Sequence, residues 1–392
     1  MATVVLSPFD VANFPEGGGH FWVYMQYAQG LRRLGCEVYW LEQFRRGKDR
    51  DRETRALITF FRRLERFGLG ERTLLYTIGD GPDAPIEYIG VTRATAEAVL
   101  RRADLVLNFH YAVDPRVLAC ARRTALVDID PGLTQLWIST GQLRVPTHDV
   151  YFTIGETVGT PAARFPDCGV QWAHIRPPVC LELWPYVHDP DAIAFTTVAG
   201  WWSGKWVKVI EAGEEVCHDN NKRVAFLEHV TLPERTSQPL ELALLLAAGD
   251  VADRRLLESH RWRIRDAREV ASTPERYRAY IQGSRGEWSC AKPFFVKLQN
   301  AWVSDRTVCY LASGKPAVVQ HTGPSAYLPH GEGMFRFSTL DDAAAAFDAI
   351  NTEYARHCRA ARDIAAAHFD AKQVLAQVLS EALSPRRTLL QT

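Results

Sequence analysis

Short apolar runs alternate with amphipathic stretches over the first third of the chain. "TVVLSPF", "CEVYWLE", "DLVLNFHY" and "TALVDIDP" have strand character. Between them, "FWVYMQYAQGLRRLG", "ATAEAVLRRA" and "PRVLACARR" repeat apolar residues at helical spacing, and Gly35 stands where a helix C-cap is expected. Strand and helix patterns in strict alternation predict a parallel, doubly wound α/β sheet. From about residue 131 to 195 the pattern is broken by Pro146, Pro161, Pro166, Pro177, Pro178, Pro185 and Pro190, and a domain boundary is expected near Val179 to Asp191. The alternation then restarts. "AIAFTTVAGWW" reads as a strand entering a loop, and "LELALLLAAGD" as a buried strand or helix. "PERYRAYIQGSRGEWSCAK" and "DRTVCYLASG" hold helices, and "KPAVVQHTG" is a strand. One or two helices follow Thr339, an N-cap with acids in the first turn. The expectation is two Rossmann-like doubly wound domains, residues 1–185 and 186–375, with a tail over 376–392. A cleft should lie between them, at the C-terminal ends of the strands.

Composition narrows the class. The 392 residues are 47% hydrophobic, enough to bury a sizeable core. Lys+Arg and Asp+Glu are both 46, which argues against a nucleic-acid partner. No run of about 18 apolar residues suggests a membrane span. The N-terminus shows no basic segment with a cleavage site, and the expected location is cytoplasmic. Eight cysteines are scattered without a CxxC pair, so reduced and mostly buried thiols are expected, with no zinc site.

"FPEGGGHFWVYMQYAQGLRRLGCEVYWLE" opens the question of chemistry. Three glycines and a histidine stand between the first strand and the first helix. Such a turn allows close backbone approach, and the helix N–H groups behind it attract phosphate or an oxyanion. A plain tight turn is the alternative. The pattern is not GxGxxG, so a dinucleotide is not indicated. "FRRGKDRDRETRALITFFRRLERFGLG" is an Arg-rich amphipathic stretch, open to an anionic membrane or a lipid-linked acceptor, but more in keeping with a helix packed on its own core.

"WVSDRTVCYLASGKPAVVQHTGPSAYLP" resembles the donor-binding segment of GT-B-fold glycosyltransferases, and the Gly-rich opening resembles their first loop, helix and second strand. The resemblance implies transfer of a sugar from a nucleotide-diphosphate sugar to a small-molecule or lipid-linked acceptor in natural-product or glycoconjugate biosynthesis. No cofactor or metal is implied. The protein would act as a monomer or homodimer. His20 falls where some inverting members carry the general base, and an imidazole titrating near ~6.5 suits that role. His110 and Asp130 are further candidates at strand ends. Donor contacts are expected at Gly18, Gly19, Gly200, Lys205, Ser284, Lys292, Ser304, Asp305, Arg306, Thr322 and Gly323. Acceptor contacts are expected at Phe21, Trp22 and Asp128. Cys309 stands where retaining members hold a ribose with glutamate; Asp305, one turn earlier, offers a substitute. The rival functions are a nucleotide-sugar 2-epimerase on the same fold and a non-catalytic sugar-binding partner.

Overall fold

The computed structural model describes residues 1–81, 84–202, 206–211 and 214–384. The first sheet has eight strands: β1 (Thr3–Ser7), β2 (Glu37–Gln43), β3 (Thr73–Ile78), β4 (Ile86–Ile89), β5 (Leu105–Asn108), β6 (Thr124–Asp128), β7 (Val150–Thr153) and β8 (Trp172–His174). Their order is 4-3-2-1-5-6-7-8. All neighbours are parallel except the antiparallel pair β3–β4. β1 lies centrally, its Val4, Val5 and Leu6 fully buried, as a strand covered on both faces requires. The helix Gly18–Arg33 follows it, burying Phe21, Trp22, Met25, Ala28 and Leu31. It ends at Leu34, and Gly35 turns the chain at φ +83°.

The second sheet begins with β9 (Phe195–Gly200). A separate antiparallel hairpin follows, β10 (Trp206–Glu211) with β11 (Glu214–Asp219). The sheet continues with β12 (Leu240–Leu245), β13 (Arg263–Asp266), β14 (Gly286–Ser289), β15 (Ala317–Gln320) and β16 (Met334–Phe337). Its order is 13-12-9-14-15-16, and every pairing is parallel. "LELALLL" is thus a strand. The stretch after Thr339 is two helices, Leu340–Thr352 and Tyr354–His368, the first opened by a capping box of Thr339 and Asp342.

The Arg-rich stretch forms the helix Arg50–Arg66, with Ala56, Phe60 and Leu64 buried against the core. No helix among the described residues is long and apolar enough to cross a membrane. The segment expected to be a tail is helical as far as Leu383. The helix Ala371–Leu383 packs on the first helix at Gly30, where a Cβ would lie 2.4 Å from Leu375 Cδ1. Residues 385–392 lie outside the described residues. The largest apolar cluster runs from β1 through the first helix into the helix Asp305–Ala312 and this last helix, so the two sheets share a core. All eight cysteines are free, and five are buried.

Candidate active site

A cavity of about 740 Å³ opens between the C-terminal ends of the two sheets. The first sheet contributes the Gly17–His20 turn after β1 and Arg52 from the second helix. The second sheet contributes Val198–Gly200 at the end of β9, Lys292 after β14, and Ser304, Asp305 and Arg306 at the start of their helix. Arg268 and Tyr277 complete that wall.

The glycines have a structural purpose. A Cβ on Gly17 would lie 2.3 Å from the Phe14 ring, on Gly18 2.3 Å from the Thr273 carbonyl oxygen, and on Gly19 2.7 Å from the Tyr277 ring. Gly18 N–H donates to the Ala271 carbonyl at 3.0 Å. The turn therefore seats the first helix against the second sheet's 271–277 segment. Trp22 Nε1 donates to Pro274 O at 2.8 Å, and Arg63 donates to both Pro15 O and Ser272 O. The side of each glycine that a Cβ would occupy is filled by protein, and the Gly18 N–H is already bonded, while the turn itself lines the cavity.

His20 lines the cavity and is partly exposed. Its Nε2 lies 2.7 Å from the Phe9 carbonyl oxygen. A carbonyl only accepts, so a neutral ring carries its proton on Nε2, and Nδ1 is the basic nitrogen. Its neighbours are Tyr24, edge-on at 5.2 Å, and Phe14 at 6.0 Å. His110 is not on the cavity wall. It is buried beneath Phe9, ring centroids 4.9 Å apart, and burial, aided by Arg45, pushes it down to about 4. It is therefore neutral at pH 7 and supports the residue that holds His20.

Lys292 and Asp130 meet across the sheets, Nζ to Oδ1 at 3.2 Å, both side chains less than a fifth exposed. Asp130 thus anchors a cation at the cleft. Lys222, absent from the expected set, donates to the Cys290 carbonyl just behind Lys292. Burial first, and the nearby Arg306 and Lys292 charges as well, bring its ammonium down to about 8. Its only sequence signal is a lysine opening a helix in "NNKRVAF".

Arg306 is buried. Its Nε donates to Glu287 Oε1 at 2.8 Å and its Nη1 to Val198 O at 2.9 Å. Burial opposes the guanidinium charge, but the Glu287 carboxylate outweighs it and holds the group protonated. Ser304 caps the helix, accepting from Arg306 N–H at 3.2 Å. Asp305 lines the cavity beside it, its carboxyl raised by burial against the pull of Arg306. Gly200 lines the cavity as expected.

Other expected contacts are part of the scaffold. Phe21 and Trp22 are 1% and 2% exposed, packed on Phe67 and, for Trp22, Trp184, so neither reaches an acceptor. Asp128 is wholly buried and accepts from Thr134, Gln135 and Thr153; burial raises its carboxyl. Ser284 is bound to Thr196 and Tyr280 O beneath the wall. Thr322 donates to Trp302 O at 2.6 Å, and Gly323, at φ +137°, abuts Gln299 O. Both brace the loop before Ser304 and do not line the cavity. Lys205 lies outside the described residues. Among the described residues no cluster of His, Cys, Asp and Glu is arranged to hold a metal ion.

No family model and no curated protein sequence matches the chain. Solved structures do match across nearly its whole length. An α-glucosyltransferase in complex with UDP-glucose and DNA containing an abasic site has a TM-score of 0.60, covering 97% of this chain and 99% of its own at 10% identity. HepE of Anabaena, in complex with UDP and glucose, has a TM-score of 0.55, covering 97% and 100% at 13% identity. Sucrose-phosphate synthase of Thermosynechococcus elongatus has a TM-score of 0.56, covering 96% and 97% at 14% identity. The fold is GT-B. At such identities the likeness carries architecture and not substrate. It accounts for the placement of the cavity, since in this arrangement both sheets aim their C-terminal strand ends at one cleft.

Proposed function

We propose that this protein is a glycosyltransferase that moves a sugar from a uridine-diphosphate sugar to the hydroxyl of a small acceptor, with inversion. One observation carries the reading: a single cavity has the imidazole of His20 on one wall and the cations Lys292 and Arg306 on the other. Nδ1 of His20 takes the acceptor proton as the hydroxyl oxygen attacks the anomeric carbon. The bond from that carbon to the diphosphate breaks, and the leaving oxygen keeps the electron pair. Lys292 and the N–H donors of Arg306 not bound to Glu287 or Val198 meet that charge without a metal ion. UDP is taken as the nucleotide because complexes of the similar structures contain it. A biosynthetic role in the cytoplasm belongs to the same reading. The charged side chains on the cavity wall and the accessibility of His20 favour this over a non-catalytic sugar-binding partner. Only Glu16 and Asp305 bring carboxylates to the described lining, which gives a 2-epimerase less to work with.

Arg306→Ala is a poor test, because it strands the buried Glu287 carboxylate, at a cost of about 3–5 kcal/mol to the fold. Lys292→Met is cleaner. It should weaken UDP binding, read by calorimetry, by about 2 kcal/mol, the scale of a charge-assisted contact. His20→Ala should keep UDP binding but lower turnover of UDP-glucose, to acceptor or to water, by about 10²–10⁴. Full turnover in His20→Ala, or no UDP binding by the wild type, defeats the proposal.

A further inference from the structure

A second cavity, of about 220 Å³, lies on the first-sheet side of the cleft. Arg52 lines both cavities, and Asn13 of the smaller adjoins Phe14 of the larger, so the two are neighbours on the first-sheet side. The charges around the small cavity are unevenly committed. Arg45 is paired with Asp10. Arg46 and Arg50 both reach Glu53, at 3.9 and 3.0 Å. The two carboxylates of the lining are spoken for as well. Glu53 also accepts from Gly47 N–H, and Asp49 accepts from Arg52 N–H at 2.9 Å. Among the described residues, the Lys48 ammonium and the Arg52 guanidinium make no ion pair.

We propose that this side cavity binds a phosphate monoester carried by the acceptor, with Lys48 and Arg52 as its partners. Two uncommitted cations match one phosphate dianion. The cavity has room for a headgroup but not for a polymer. The acceptor role rests on the glycosyltransferase reading. The phosphate is supplied either by a soluble ester or by a lipid, and the same two side chains serve both.

The test titrates glycerol 3-phosphate, with glycerol as control, into the full chain saturated with UDP. Phosphatidylcholine vesicles with and without phosphatidic acid form a second arm. The expected result is saturable binding of glycerol 3-phosphate and none of glycerol, with at least a tenfold loss in the Lys48→Ala, Arg52→Ala double variant. Both side chains are exposed, so the variant should melt like the wild type. Binding confined to phosphatidic acid vesicles and lost in the variant assigns the lipid source. Equal binding by variant and wild type, or no preference for the ester over glycerol, overturns the subsite. Tighter binding of duplex DNA, lost in the same variant, overturns it in favour of a nucleic-acid acceptor. Failure of the wild type to bind UDP defeats the glycosyltransferase reading instead, and with it the acceptor role.

Discussion

Glu42 shows how a residue with no visible motif can govern the site. It is fully buried at the end of β2, accepting from Ala12 N–H at 2.7 Å and from Trp40 Nε1 at 2.8 Å. It therefore fixes the loop that carries Phe9, whose carbonyl holds His20. Burial raises its carboxyl to about 7, although its hydrogen bonds favour the charged form. Because the folded chain holds this proton more tightly than the unfolded chain, the contribution of Glu42 to stability is greatest below about pH 4.5. It falls as pH rises to about 7, by an amount on the order of 3 kcal/mol. Glu42→Gln removes the titration, while Asp128 and Asp305, also raised, remain in both proteins and cancel in the difference. Urea melts of the two proteins from pH 4 to 8 should therefore show the wild type losing ground to the variant across that window. A constant difference would refute the assignment. The place of His20 on the cleft was legible from the sequence because it directly follows a strand and a Gly-rich turn. Glu42, Lys222 and the paired state of Arg306 were not, since each depends on partners distant in the chain.

The Gly-rich turn was legible as an element but not in its purpose. Its position predicted a cleft-facing turn, and that is where it lies. What the glycines accommodate is set by residues 271–277, over 250 positions away, and no local pattern reveals them. Gly18→Ala places a methyl 2.3–2.6 Å from the backbone of Ala271 and Thr273, and backbone cannot yield as a side chain can. The expected cost is about 1–3 kcal/mol, the range for overpacking, seen as a lower melting temperature. Gly47→Ala, where nothing lies within 4 Å of the added Cβ, is the control and should melt near the wild type. Equal melting of both variants would mean the helix seat is looser than drawn. The strands show the same division. The apolar run of β1 was readable as a strand, whereas that of β12 was equally open to a buried helix. β7, β8 and β13 were not readable, being only three or four residues long and, in β13, rich in charge as "RIRD". β14, "GEWS", was absorbed into a helical reading because the helix Pro274–Gln282 immediately precedes it.

At the scale of the molecule, the question is what holds two sheets at a fixed distance across a solvent-filled cleft. The alternation of strands and helices predicted two sheets, but a sequence read locally treats each as self-contained. The structure ties them together in several places. The first helix meets the 271–277 segment, Lys292 meets Asp130, and Glu156 accepts from Ser325 and Ala326. The last helix returns from the second half to cover Gly30, while Val179 and Asp370 pair as an isolated bridge. This helix buries Val374, Leu375 and Val378 in the same cluster as the first helix, so its contribution is mainly apolar and insensitive to salt. The Lys292–Asp130 pair, partly buried, adds less. The intact chain should therefore unfold in one calorimetric transition. A chain ending at Asp370 exposes the groove at Gly30 and loses the strap while keeping every strand of both sheets. It should unfold in two transitions, one for each sheet, with the first moved to lower temperature. Added salt should not reproduce this split in the full-length protein. A single, unshifted transition in the shortened chain would show that the first-helix seat and the cleft contacts suffice, and that the last helix is not what couples the two halves.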